Sequence, residues 1–119
     1  MAKDDYDVVL FKILSYLYGC IKRKYSFDIT SFNAVISKQN VNDEYLSSIL
    51  HMASEEGLIE GLTFTHAWGM NYIICNDYSD MIITAKGIRY LKDNSKMQEV
   101  KKHLEEIPGL VADLIRLVF

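Results

Sequence analysis

The sequence is poor in the residues that stiffen or staple a chain. It holds one proline and six glycines in 119 residues, which excludes collagen-like and linker-rich classes. Its two cysteines, Cys20 and Cys75, are too few for a disulfide framework, and no CxxC pair offers zinc or thiol-redox chemistry. Two reduced, buried thiols in a cytoplasmic protein are the expected state. No long apolar run is present. The longest stretch without Asp, Glu, Lys or Arg runs from Gly61 to Asn76 and contains His66 and Asn71. It falls short of the roughly 20 apolar residues a membrane span needs. The first residues, Met1 to Asp5, lack the basic and apolar pattern of a secretory signal. A strong excess of one charge is also missing: 13 Lys and Arg against 16 Asp and Glu give a net charge of -3. Such mild acidity argues against a protein whose main task is to coat nucleic acid or an anionic membrane.

What is present is apolar material. Half of the residues are hydrophobic and 12% are aromatic, which excludes disorder and suits one domain of ordinary size. Tyr6, Leu10, Ile13, Leu14, Leu17 and Ile21 recur at helical spacing. They predict a first helix from about Asp5 to about Lys24, with acids at its start and Lys22-Arg23-Lys24 at its end. A short second helix is capped by Asp28, Thr30 or Ser31, with Ile29, Phe32 and Val35 or Ile36 as its buried stripe. The polar run Ser37 to Asn40 reads as a turn. Asn42 caps a third helix that buries Leu46, Ile49, Leu50 and Ala53, and Gly57 ends it in a left-handed conformation.

Two strand-like runs follow, Leu58 to Thr65 and Asn71 to Cys75, joined by a turn at His66 to Met70. A second loop, Asn76 to Asp80, precedes a short strand at Met81 to Ile83. Thr84 caps the next helix, and Ser95 with Gln98 has the form of a capping box. Pro108-Gly109 breaks the chain before a last apolar helix, Leu110 to Phe119.

Helix, helix, helix, hairpin, helix is the order of a winged helix. The expected fold is therefore α+β and mostly helical: a winged helix-turn-helix with a β-hairpin wing and a C-terminal helical extension. Residues 1–94 would form the winged-helix domain. Residues 95–119 would pack on it or form a dimer interface. Two stretches sharpen the match. Leu46…Leu50…Glu56-Gly57-Leu58-Ile59 looks like the exit of a recognition helix. Ile83-Thr84-Ala85-Lys86-Gly87-Ile88-Arg89-Tyr90-Leu91 resembles the LTxKGxxYL step that follows many wings. The continuation through Lys92-Asp93-Asn94-Ser95-Lys96-Met97, Lys101-Lys102 and Glu105-Glu106-Ile107 resembles the YjcQ-like family. These are small winged-helix proteins of Gram-positive bacteria and their phages. The resemblance implies a fold and a phage or prophage context, and no catalytic residues. The last ten residues depart from the family pattern in being almost wholly apolar.

The residues can be set against the demands of DNA binding, where Lys and Arg neutralise phosphates. The outer face of the third helix should carry Glu44, Ser47, Ser48, His51 and Glu55, without a permanent cation. The loop His66 to Met70 lacks Lys and Arg, and Asn76 to Asp80 is acidic. Bases gather instead at the end of the first helix and on the later helices, where solvated helix faces explain them equally well. Candidate contacts to double-stranded DNA or to a protein partner are Lys38, Asn42, Ser47, Ser48, His51, His66 and Trp68. Trp68, the sole tryptophan, suits a partner anchor as well as a core position.

The histidines have no metal-ligand spacing, and no GxSxG, HExxH, GxxxxGK[ST] or GxGxxG pattern occurs. Neither an enzyme nor a cofactor is expected. The final helix is apolar on most faces, so it should be covered on most faces. A homodimer through Leu110, Leu114, Ile115, Leu117 and Val118 is the expected cover. Two readings of function stand side by side: a DNA-associated regulator, and a protein-interaction module on the same scaffold.

Overall fold

The structure, a computed structural model, describes residues 1–66, 69 and 71–119. Its centre is helix α1, Tyr6–Ile21. An amphipathic helix hides one stripe, but α1 buries every residue from Val8 to Leu17. Such a helix needs neighbours on all sides. It has them in α2 (Ile29–Val35), α3 (Asp43–Glu55), α4 (Ala85–Asp93), α5 (Ser95–Glu105) and α6 (Leu110–Val118). α1 stops at Ile21, short of the basic triplet. Arg23 adopts φ 62, a left-handed conformation that breaks the helix.

The caps are those the sequence announces, with one exception. Asp28 Oδ2 accepts from the Ser31 amide at 2.9 Å, Asn42 Oδ1 from Tyr45 at 2.9 Å, and Thr84 Oγ1 from Gly87 at 2.9 Å. The exception is α5. Asn94, not Ser95, is its cap and accepts from both Lys96 and Met97, while Gln98 Nε2 donates back to the Lys92 carbonyl. An Asn one residue earlier reaches two free amides at once, so the Ser95 box does not form. The stripe of α2 also differs from expectation. Phe32, Val35 and Ile36 are buried, but Ile29 points outward and is 46% exposed.

Beyond α3 the chain makes one interrupted hairpin. Gly57 (φ 76) turns it into β1 (Ile59–Glu60), followed by β2 (Phe64–His66). It returns through β3 (Tyr72–Ile74) and β4 (Ile82–Ile83). β2 pairs antiparallel with β3 (Phe64 with Ile74, His66 with Tyr72), and β1 with β4 (Ile59 with Ile83). The first run is therefore two short strands, not one. The break is at Gly61, whose carbonyl accepts from Asn76 Nδ2 at 2.7 Å. Asn76 Oδ1 in turn accepts from the Thr63 amide at 2.9 Å, so one side chain replaces the missing ladder rungs.

The LTxKGxxYL-like step has a physical account. Thr84 Oγ1 donates to the Gly57 carbonyl, and the Thr84 amide donates to the Leu58 carbonyl at 3.1 Å. One residue thus caps α4 and clamps its start to the exit of α3.

The C-terminal helices share the core of α1. Ala112, Leu114, Ile115 and Val118 are buried on one side of α6. Lys22 Nζ donates to the Val118 carbonyl at 2.6 Å, and Phe119 stacks near Phe11 with centroids 6.1 Å apart. Three of the five dimer candidates, Leu114, Ile115 and Val118, are thus consumed by the chain's own core. Leu110 and Leu117 stay exposed, at 53% and 50%. They rim an apolar groove of about 470 Å³ against α2. The cause of the difference is α1: being buried on all sides, it supplies a second, mostly apolar surface for α6.

Neither cysteine is fully buried. Cys20 is half-buried and Cys75 is exposed. Burial still pushes the Cys20 thiol up from 9.0 to about 11, and Tyr6 up from 10.0 to about 12 with help from the Glu56 carboxylate. Tyr16 and Tyr25 are raised by burial as well. Each of these groups holds its proton more tightly folded than unfolded. Their stabilising contribution is whole below the unfolded values and is lost as pH rises through the folded ones. Stability is therefore expected to fall as pH rises between about pH 9 and pH 12. Urea midpoints measured at pH 8 and pH 11 check this. Equal midpoints would contradict it, and Tyr25→Phe should shrink the difference.

Candidate interaction face of α3 and the hairpin

α3 and the hairpin form one continuous face, because the hairpin folds back onto the helix. Its centre is a column of rings. His51, on α3, stacks on Tyr72 of β3 with centroids 3.6 Å apart and planes 11° apart. His66 of β2, the cross-strand partner of Tyr72, also stacks on it at 4.7 Å, and Phe64 meets His51 edge-on at 5.1 Å. Flat rings packed in this way exclude water and fix the hairpin against the helix. The His51 side chain is consequently only 19% exposed, and its Nε2 lies 3.4 Å from the Glu55 carboxylate.

The other sequence candidates take the following places. Asn42 has its side-chain oxygen engaged as the α3 cap. Lys38, in a single 3₁₀ turn, pairs with Asp43 at 2.6 Å. Ser48 Oγ donates to the Glu44 carbonyl one turn earlier at 3.1 Å, and Ser47 is half-buried. His66 is exposed. Trp68 lies outside the described residues. The structure thus brings His51 and His66 together around Tyr72, and leaves Lys38 and Asn42 at the far end of α3, already engaged. The expected open face, with His51 free at its middle, is corrected: the hairpin covers it. Tyr72 and Phe64 were missed as members of this face. Their alternation in the strands was readable, but which helix face they would cover was not.

The rim of the face is acidic. Asp43, Glu44, Glu55 and Glu56 are exposed on and just after α3, Glu60 is exposed on β1, and Asp77 and Asp80 are exposed at the hairpin base. No Lys or Arg stands anywhere between Lys38 and Lys86 in the sequence. Exposed Met52, at 42%, adds an apolar spot beside the carboxylates.

Several cations elsewhere already serve the fold. Lys22 lies over the Tyr18 ring at 5.0 Å besides holding the end of α6, and Lys101 lies over the Phe119 ring at 5.1 Å. Lys96 sits 3.6 Å from Glu99, and Arg116 is paired with Asp113.

Among the described residues no helix is long and apolar enough to cross a membrane. Among the same residues no group of three or more His, Cys, Asp or Glu side chains is placed to hold a metal ion. A family model described as YjcQ protein matches residues 11–109, a stretch that ends just before α6. No curated protein and no solved structure matches the chain.

Proposed function

We propose, from the premise that the chain belongs to the YjcQ family, that it is a non-enzymatic interaction module whose α3–hairpin face binds a basic segment of a protein partner. The observation that carries this reading is the absence of any Lys or Arg from Gln39 to Ala85, a stretch that includes seven carboxylates. A duplex presents a dense row of phosphates, and proteins bind it by neutralising them. A face with acids at its rim repels that row before any base can be read. The ring column supports the same reading. His51, the best placed candidate for a base contact, is stacked under Tyr72. The face instead offers exposed Met52 and an aromatic hairpin beside carboxylates, which complements a Lys- or Arg-containing peptide. The winged-helix order of elements is the argument for a duplex reader of phage or prophage origin; the charge of the reading elements is the argument against it.

Two titrations test the proposal. With a labelled random duplex of about 20 base pairs at low salt, the protein is expected to show no binding at about 10 µM, where basic winged domains already associate non-specifically. The triple variant Glu44→Lys, Glu55→Lys, Glu56→Lys should acquire such binding. With a Lys/Arg-rich peptide, amide NMR shifts are expected at His51, Tyr72 and Glu55, weakening as salt rises. A sub-micromolar duplex complex of the native protein that is lost on Ser48→Ala or His51→Ala would establish the opposite reading.

A further inference from the structure

The molecule carries a second feature, on the side where α1 meets the turn between α5 and α6. Lys12 sits in the middle of α1 and is 2% exposed. A lysine is almost never buried this deeply without a counter-ion. Its Nζ donates to Ser37 Oγ at 3.3 Å, and among the described residues no carboxylate lies within ion-pair distance of it. Ser37 is itself held in the left-handed region at φ 57, a conformation that non-glycine residues adopt seldom.

Lys12 and Ser37 line a cavity of about 280 Å³. Two more basic side chains, Lys3 and His103, line it as well. No Asp or Glu is among the lining residues, in a chain where acids outnumber bases. The rest of the wall is apolar and includes Val8, Leu104, Ile107 and Val111. The start of α6 completes the wall. Gly109 caps that helix without a side chain, so the first amides of α6 have no side-chain acceptor. Burial and the neighbouring Lys3 push the Lys12 ammonium below its ordinary value, which is the response of a cation that lacks an anion.

A buried cation, two further bases, an uncapped helix start and an apolar wall call for one kind of guest. We propose that the cavity binds a small carboxylate with an apolar body, its head against Lys12 and Ser37 and its body along Leu104, Ile107 and Val111. The volume is at the lower end of that of small-molecule sites, so the guest is smaller than a nucleotide cofactor. The carboxylate supplies the missing counter-ion and the acceptors, and the apolar wall takes the chain.

The test uses octanoate, octanol and inorganic phosphate as probes, followed by amide NMR shifts and by thermal unfolding. Octanoate is expected to bind saturably, to shift resonances of Lys12, Ser37 and Val111, and to raise the unfolding midpoint. Octanol should bind at least tenfold more weakly, since it lacks the charge. Lys12→Met keeps a side chain of similar bulk and removes the buried charge, so the unliganded variant should unfold at or above the native midpoint. It should lose at least tenfold in octanoate affinity, and the octanoate shift in midpoint should vanish. Lys3→Gln, at an exposed position, serves as a second variant and should weaken octanoate by roughly threefold. Three results would overturn the proposal: no saturable octanoate binding, equal affinity in Lys12→Met, or octanol binding as tightly as octanoate. Saturation by phosphate alone would overturn the assignment of a carboxylate.

Discussion

Phe32→Ala is expected to cost about 3–5 kcal/mol of folding stability, the range for removing a fully buried aromatic ring. Phe32 is 0% exposed on α2, and three rings converge on it. Tyr16 of α1 lies 5.6 Å away, Phe27 of the preceding loop 5.3 Å and Tyr78 of the hairpin base 5.9 Å. The side chain therefore joins α1, the loop before α2 and the hairpin base. The same cluster positions the start of α2. The Tyr16 hydroxyl donates to the Asp28 carbonyl at 3.2 Å and accepts from the Asp28 amide at 3.0 Å. Removing Phe32 leaves a cavity beneath that contact, and small domains have only about 5–15 kcal/mol in total. Urea unfolding at neutral pH measures the loss. Phe32→Leu, which keeps most of the volume, should lose no more than about 1.5 kcal/mol. A loss below 1 kcal/mol for the alanine variant would mean that the aromatic cluster is not a shared core.

The second large effect is expected at Gly87. This glycine has ordinary helical geometry, so intrinsic propensity alone would make alanine the better residue by nearly 1 kcal/mol. Space reverses the outcome. A Cβ at Gly87 would stand 2.1 Å from the Leu58 carbonyl oxygen and 2.8 Å from Ile83 Cγ1. The carbonyl cannot move aside cheaply, because it accepts from the Thr84 amide and adjoins the β1–β4 pair. Gly87→Ala is therefore expected to destabilise by about 2–3 kcal/mol net, a fall of roughly 10 °C in Tm for a domain of this size. Gly57→Ala is the informative partner. There the nearest atom to a new Cβ is Lys86 Cδ at 3.7 Å, and the obstacle is φ 76. It should cost about 1 kcal/mol through conformation alone. If the two variants prove equal, close approach of α4 to the hairpin is not what Gly87 provides.

The glycine predictions also bear on the proposed interaction face. Thr84 and Gly87 hold α4 against the exit of α3, and Gly57 aims the chain into the hairpin. The ring column of His51, Tyr72 and His66 depends on that aim. Variants of the clamp should therefore loosen the face as well as the fold, which amide exchange at Tyr72 and His66 would register.

Much of this chain was legible from local signals. Helix starts at Asp28, Asn42 and Thr84 follow from one side chain reaching amides two or three residues on, an interaction closed within a few positions. The left-handed exit at Gly57 and the break at Pro108-Gly109 belong to the same class. The apolar repeat named the buried residues of α3 correctly; on α1 it found Leu10, Ile13, Leu14 and Leu17, but Ile21 at the helix end is 45% exposed and Tyr6 is half-buried. Even the acidity of α3 and the hairpin was readable, because it depends on residue type and not on arrangement.

Contacts between distant segments were not legible, because periodicity says which residues seek cover and not what covers them. His51 repeats like a surface residue of α3, yet Tyr72, twenty-one positions later, closes over it. Leu114, Ile115 and Val118 read as a surface in search of a partner until α1, nearly a hundred residues earlier, supplied it. Lys12 carries a side chain that should seek water, and only the packing of α1 among the other helices places it where, among the described residues, its charge has no counter-ion. The sequence by itself determined the helices, the caps of α2, α3 and α4 and the sign of charge on the hairpin face. The tertiary structure alone decided which of those faces stay open, since burial is a property of pairs of segments.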